Sequence, residues 1–151
     1  MLDSLYHTNI FIVDNNSTVA QFIVAVLPKK IKVNCHFLKD GNNIFYDLEE
    51  DPDLFIINRD LKQIKIASIV KFIKTKYPRA KIIVYCDQNC TDSVKELFEI
   101  GIDDYIALDD QFSKHIKLSV EYLILESRKL TVLFSNGLQT IKRLAFSVMF
   151  I

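Results

Sequence analysis

The sequence lacks an excess of charge of either sign. Its 151 residues include 19 lysines and arginines and 19 aspartates and glutamates. A balanced chain has no strong overall field that would draw it to a polyanion, although a local patch of charge can still form. The balance therefore disfavours nucleic acid and an anionic membrane surface as partners of this domain.

Cysteine is scarce, and long apolar runs are missing. The three cysteines are an odd number without the spacing of a disulfide framework, which predicts reduced thiols. The opening residues "MLDSLYHTN" lack the basic start and the apolar run of a signal peptide. No apolar run approaches the roughly 20 residues that cross a bilayer. We expect a cytoplasmic protein without a membrane partner.

Three short unbroken apolar runs are present, and they are typical of strands covered on both faces of a parallel sheet. They lie at Asn9 to Val13, Asp53 to Ile57 and Lys81 to Tyr85. The run from Ile31 to Leu38 alternates between apolar and polar residues, which indicates a less covered edge strand. A weaker fifth strand is predicted at Asp104 to Leu108.

Apolar residues at helical spacing fall between these strands. The predicted helices cover Val19 to Leu27, Ile66 to Tyr77, Val94 to Phe98 and Ile116 to Ile124, with a shorter one at Asn42 to Glu49. Their expected N-caps are Asn16 or Ser17, Thr91 or Asp92, and Ser113, and Gly101 is an expected stop. This alternation, in a chain of this length, predicts one α/β domain with right-handed crossovers.

Ligands of such a sheet bind beyond the carboxyl ends of its strands. The residues at these ends are mostly polar, and they define the candidate site: Asp14, Asn15, Asn16, Asn58, Arg59, Asp60, Cys86, Asp87, Leu108 and Asp109.

Four segments of the chain, in this order, resemble a receiver domain of two-component response regulators. They are "NIFIVDNN", "DPDLFIIN", "KIIVYCD" and "GIDDYIAL", and the likeness extends from Asn9 to about Arg128. The resemblance implies a flavodoxin-like, doubly wound, five-stranded parallel sheet with strand order 2-1-3-4-5. It also implies a receiver-like domain at residues 1–128 and a C-terminal extension at 129–151.

Receiver domains hold Mg²⁺ with an acidic pair and a phosphoacceptor aspartate, and they contact the phosphoryl group with a Ser/Thr and a Lys. An aromatic residue acts as a switch. The resemblance places Asp14 and Asn15 at the acidic pair, Asn58 at the phosphoacceptor, Cys86 at the Ser/Thr, Leu108 at the Lys and Tyr105 at the aromatic position. Only Asp14 and Tyr105 keep the residue type of the family.

These replacements remove the phosphotransfer chemistry. A carboxamide such as Asn58 cannot be the nucleophile that forms an acyl phosphate. Mg²⁺ prefers carboxylates, so Asn15 and Asn58 remove most of its attraction. Leu108 supplies no cation, and Asp87 and Asp109 add negative charge where a phosphoryl group would sit. We expect no enzyme, no metal and no cofactor, but a pseudo-receiver that acts as a protein interaction module in bacterial signal transduction or transcription regulation.

Two interpretations of the amides stay open: a switch locked in one state, or drift in a domain kept for its surface. A rival function is a receiver still phosphorylated or metal-bound at a displaced carboxylate such as Asp60. Tyr105 is interpreted as a surface or packing aromatic, since without a phosphoryl group nothing visible in the sequence would pull it inward.

Other polar residues have ordinary interpretations. Cys86 and Cys90 lack a second pair or a nearby histidine, which favours idle thiols over a metal site. The segment from Lys71 to Lys81 reads as a solvated helix end with favourably placed cations. The three histidines, His7, His36 and His115, are interpreted as surface residues.

The extension has a Ser-Asn-Gly break followed by apolar residues at helical spacing from Leu138 to Ile151. A hairpin across Asn136 and Gly137 is the rival interpretation. The apolar residues need cover, which predicts an interface-forming extension and a homodimer. The resemblance to receiver domains, whose corresponding face makes output and dimer contacts, implies a second candidate interface at Thr91 to Arg128, and mixed charges along this stretch suit pairing across an interface.

Overall fold

Five parallel strands form a single sheet in the computed structural model, which describes residues 7–87 and 94–128. The strand order is β2-β1-β3-β4-β5. The strands are β1 (Thr8–Val13), β2 (Val33–Leu38), β3 (Leu54–Asn58), β4 (Lys81–Cys86) and β5 (Asp104–Ala107). This confirms the flavodoxin-like fold, and β2 lies at the edge as its alternating pattern predicted.

The strands are joined by α1 (Ser17–Val26), α2 (Ile66–Lys76) and α3 (Val94–Ile100), and the described part of α4 covers residues 112–128. The helix expected from Asn42 to Glu49 is wrong in type and length, because a 3-10 helix (Gly41–Phe45) stands there. Its turn is started by the Asp40 carboxylate, which accepts a hydrogen bond from the Asn42 amide at 2.9 Å. The backbone is already extended at Tyr46.

Both faces of the sheet are covered, as the unbroken apolar runs predicted. Ile10 and Ile12 of β1 point into a core shared with α1 and α4. Their neighbours Phe11 and Val13 point into a second core shared with α2, α3 and the 3-10 helix. Side chains that alternate along each central strand therefore all find apolar partners.

Two of the expected caps are confirmed. The Asn16 side chain accepts hydrogen bonds from the amides of Thr18 and Val19 at 2.9 and 3.4 Å. Gly101 ends α3 with a φ of 115°, a left-handed conformation that favours glycine.

The expected cap Ser113 is wrong, since it lies inside α4. The Asp109 carboxylate instead accepts from the Gln111 amide at 2.9 Å in the turn that leads into this helix. Thr91, Asp92, Cys90 and the whole extension 129–151 lie outside the described residues.

The cations at the end of α2 behave as expected. Lys74 and Lys76 lie in its last turn, and the Lys76 ammonium is 2.7 Å from an Asp47 carboxylate oxygen. The interpretation of His36 as a surface residue is wrong. Its ring stacks on Phe11 with 4.4 Å between centroids, and its buried Nε2 has no partner among the described residues.

Candidate functional site

A row of three polar side chains crosses the carboxyl edge of the sheet. Asn58 ends β3 and pairs in register with Tyr85 of β4. Asp14 follows Val13, which pairs with Ile57, so the carboxylate falls beside Asn58 on the next strand. The Asn58 amide nitrogen donates to Asp14 Oδ1 at 3.2 Å, and the Tyr85 hydroxyl donates to Asp14 Oδ2.

Asp14 is 1% exposed and its two carboxylate oxygens are both in use. Besides Asn58, Oδ1 accepts from the backbone amide of Asn16 at 2.8 Å. Oδ2 accepts from Tyr85. A Mg²⁺ ion needs free oxygen ligands with near-octahedral geometry. The Mg²⁺ site of receiver domains therefore does not fit these residues, since the one remaining carboxylate is already satisfied by protein donors.

Tyr85 is held firmly in this position. Its ring packs edge-on against Phe112 of α4 with 5.8 Å between centroids. Burial raises the pKa of its hydroxyl well above the ordinary range, and the hydrogen bond to Asp14 and the charges of Asp14 and Asp87 raise it further. The hydroxyl therefore stays a donor at any physiological pH.

Asn15 joins the loops around the row. Its amide nitrogen donates to the Lys39 carbonyl at 2.9 Å, and its oxygen accepts from the Lys62 backbone amide at 3.0 Å. The oxygen of Asn58 likewise accepts from the Asp60 amide at 2.9 Å. The loops that follow β1, β2 and β3 are thus tied together by amide side chains.

A second cluster joins β3, β4 and β5. The Arg59 guanidinium donates to the Tyr105 hydroxyl at 3.2 Å, and this hydroxyl also bonds to the Cys86 thiol. Burial and the Cys86 bond raise the pKa of Tyr105 to about 12, while Arg59 pulls it down. Tyr105 is half-buried and packs against the second core, which agrees with its interpretation as a packing aromatic. The bonds of its hydroxyl to Arg59 and Cys86 were not predicted from the sequence.

The candidate residues divide into two groups. The structure brings Asp14 and Asn58 into contact and places Asn15 beside them, whereas Cys86 is bonded to Tyr105. Leu108 is half-buried against the core of α1 and α4, so it offers no polar group. The carboxylates after the strands, Asp60, Asp87 and Asp109, are exposed. In the described ranges, no three His, Cys, Asp or Glu side chains cluster as metal ligands.

Sequence reasoning missed Tyr85 as a site residue, and it included Arg59 without predicting its contact with Tyr105. In the sequence, Tyr85 fits the apolar run of its strand, but a hydroxyl in a central strand needs a partner when it is buried. That requirement, together with an acid at the end of a neighbouring strand, was the available signal. For Arg59 no comparable signal exists, since its reach to Tyr105 depends on the path of the loop.

The fold is similar to those of solved receiver domains. The signal receiver domain of a protein described as a LuxO repressor from Vibrio parahaemolyticus aligns with a TM-score of 0.75 and 14% identity, over 85% of this chain and 98% of that one. A response regulator receiver domain from Clostridium thermocellum aligns with a TM-score of 0.68 and 16% identity, over 82% and 98% of the two chains.

The phosphorylated cyanobacterial phytochrome response regulator RcpA aligns with a TM-score of 0.64 and 18% identity, over 76% of this chain and 89% of that one. At such identities the likeness shows the receiver fold, and the function has to be argued from the residues at the site. No protein-family model and no curated protein matches the chain. No helix within residues 7–87 and 94–128 is long and apolar enough to cross a membrane.

Proposed function

We propose that the chain is a pseudo-receiver: a receiver-fold module that takes no phosphoryl group, has no enzyme activity and works through protein contacts in bacterial signal transduction or transcription regulation. The observation that carries this proposal is the hydrogen bond from the Asn58 amide to the Asp14 carboxylate at 3.2 Å. Asn58, the residue at the phosphoacceptor position, makes a hydrogen bond inside the domain. The cytoplasmic location predicted from the sequence belongs to the same proposal.

The surroundings of Asn58 support the absence of phosphotransfer. The lone pair of an amide nitrogen is delocalised into the carbonyl group, so the Asn58 side chain is not a nucleophile for phosphorus. Developing negative charge on a phosphoryl group needs nearby cations, and Leu108 contributes an apolar side chain to the core at the lysine position. Arg59 directly follows Asn58 in the chain, and its guanidinium is bonded to Tyr105.

The test is incubation of the full chain with acetyl phosphate and Mg²⁺, followed by intact-mass measurement beside a phosphorylatable receiver domain as positive control. We expect no hydroxylamine-labile gain of about 80 Da, the mass of one phosphoryl group. A stoichiometric gain would overturn the proposal. If its position is Asp60, an exposed carboxylate, the rival function of a displaced acceptor would replace it.

A protein partner is favoured by the outer surface of α4. Leu118, Tyr122 and Leu125 are 56%, 65% and 46% exposed and recur at the spacing of one helical face. Beside them a groove of about 440 Å³ between β5 and α4 has Asp103 and Asp104 in its lining. Apolar side chains flanked by charges are typical of a protein interface. A second copy of the chain is the partner that we propose.

A further inference from the structure

We infer that Asn15, Asn58 and Tyr85 form a metal-free clamp at the carboxyl edge of the sheet, which holds the loops after β1, β2 and β3 in one arrangement. Asn58 and Tyr85 bind Asp14, and Asn15 beside it binds the backbone of the loops after β2 and β3. The inference rests on the proposed function, because it concerns the same site once phosphate and Mg²⁺ are excluded from it. It also decides between the two interpretations of the amides, in favour of a locked state over drift.

The amides at positions 15 and 58 each use both ends of the side chain. Asn15 donates to the Lys39 carbonyl at 2.9 Å and accepts from the Lys62 amide at 3.0 Å. Asn58 donates to Asp14 at 3.2 Å and accepts from the Asp60 amide at 2.9 Å. An ionised aspartate accepts but cannot donate. Each position therefore needs an amide, whereas drift would leave at least one end of the side chain without a specific partner.

Tyr85 completes the clamp from inside the domain. Its hydroxyl donates to the second oxygen of Asp14 from a side chain that is 1% exposed. The ring cannot withdraw easily, since it packs against Phe112, which is also 1% exposed. A buried carboxylate without partners would be strongly unfavourable, and here three protein donors supply the stabilisation that a cation would otherwise provide.

The clamp makes the loop arrangement independent of any ligand. Three loops meet at Asn15, which links the loop after β1 to Lys39 and Lys62. A further link joins Asn42 to Gln63 at 3.3 Å, between the segment after β2 and the loop after β3. Because these contacts are made within the chain, the domain should present the same carboxyl-end surface with and without Mg²⁺.

Amide hydrogen exchange of the full chain tests the clamp at single residues. In Asn15→Ala, the Lys62 amide loses its acceptor, so its exchange should quicken about tenfold, as expected for one net hydrogen bond. In Asn15→Asp, the Lys62 amide should stay protected because a carboxylate still accepts. The midpoint of denaturant unfolding should nevertheless fall, since the donor to Lys39 is lost. The exposed Asn43→Asp is the matched control for added charge.

Denaturant unfolding is also measured for Tyr85→Phe and Asn58→Asp. The exposed Tyr46→Phe is the control for a lost hydroxyl. Both clamp variants should unfold at lower denaturant than their controls, and millimolar Mg²⁺ should leave the unmodified chain unchanged. Equal exchange of the Lys62 amide in Asn15→Ala and the unmodified chain would overturn the clamp, as would stabilisation of the unmodified chain by Mg²⁺. Absence of phosphorylation would still stand in either case, so the two proposals fail separately.

Discussion

At the scale of residues, the side-chain nitrogen of asparagine determines which hydrogen bonds form at the carboxyl edge of the sheet. Asparagine and aspartate have almost the same shape, but only the amide donates a hydrogen bond. At Asn58 the acceptor of that bond is the buried Asp14, at 3.2 Å. An aspartate in the same place would bring two like charges together and raise the free energy of the folded state. Two carboxylates at this position would attract a cation, whereas the amide of Asn58 donates a hydrogen bond to Asp14 within the protein.

Tyr105 shows a similar dependence on its neighbours, and its titration can be predicted. Its pKa of about 12 is above that of an ordinary tyrosine, about 10. The folded state therefore holds the proton more tightly than the unfolded state does. The stability from this group is complete below about pH 10 and is lost as the pH rises through about 12.

The measurement is the absorbance of tyrosinate during alkaline titration, with Tyr105→Phe subtracted to isolate this residue. Arg59→Met should move its ionisation to higher pH, because the guanidinium favours the charged form. Cys86→Ala should move it to lower pH, because the thiol bond favours the neutral form. Identical curves for these two variants would contradict the bonding described for the cluster.

Residues whose role is set by the local chain were the predictable ones. The cap at Asn16 and the stop at Gly101 follow from backbone requirements of a helix end, and the structure confirms both. The contacts of Tyr85 and His36 join strands far apart in the chain. Neither contact leaves a periodic pattern, so the sequence alone could not reveal it.

At the scale of elements, the crossover from β2 to β3 is the place where the chain departs from its expected form. Only a few apolar residues support a helix in this segment. The 3-10 turn that forms there packs against Ile64 and Leu61 of the loop between β3 and α2. Gly41 is buried, and a Cβ there would lie 2.9 Å from Ile64 and 3.0 Å from Leu61. The crossover is therefore packed directly on the loop between β3 and α2, which carries part of the clamp.

Gly41→Ala should lower the free energy of unfolding by about 1 to 3 kcal/mol, the usual cost of overpacking. The added methyl would have to displace the Ile64 and Leu61 side chains. Chemical denaturation measures the change, and Asn43→Ala, an exposed residue of the same turn, is the control. If both variants unfold at the same denaturant concentration, the side chains of Ile64 and Leu61 move aside without cost, and the close packing of the crossover on this loop does not contribute to stability.

At the scale of the whole molecule, the described domain already covers its own sheet. One core lies under α1 and α4 and the other under α2 and α3. The strands and most helices could be predicted because burial on two faces leaves a pattern in every element. The assembly could not be predicted in the same way, since an apolar stripe on a helix shows the need for cover without showing what supplies it.

Self-association is the prediction that belongs to this scale. The exposed stripe Leu118, Tyr122 and Leu125 lies on the last described helix, and the sequence continues with further apolar residues from Leu138 to Ile151. Each large side chain moved out of water contributes roughly 1.5 to 3 kcal/mol, so several together favour a second copy strongly.

We expect the full chain to sediment as a dimer at micromolar concentration. The chain ending at Asn136 should sediment as a monomer, and its circular dichroism spectrum should still show a folded α/β domain. Tyr122→Glu places a charge in the stripe and should weaken the dimer, whereas Tyr46→Glu, on an exposed side chain outside α4, should not. If the full chain is a monomer at high micromolar concentration, the apolar residues are covered within one molecule. The prediction of a homodimer would then be wrong, while the proposal that Asn58 takes no phosphoryl group would be unaffected.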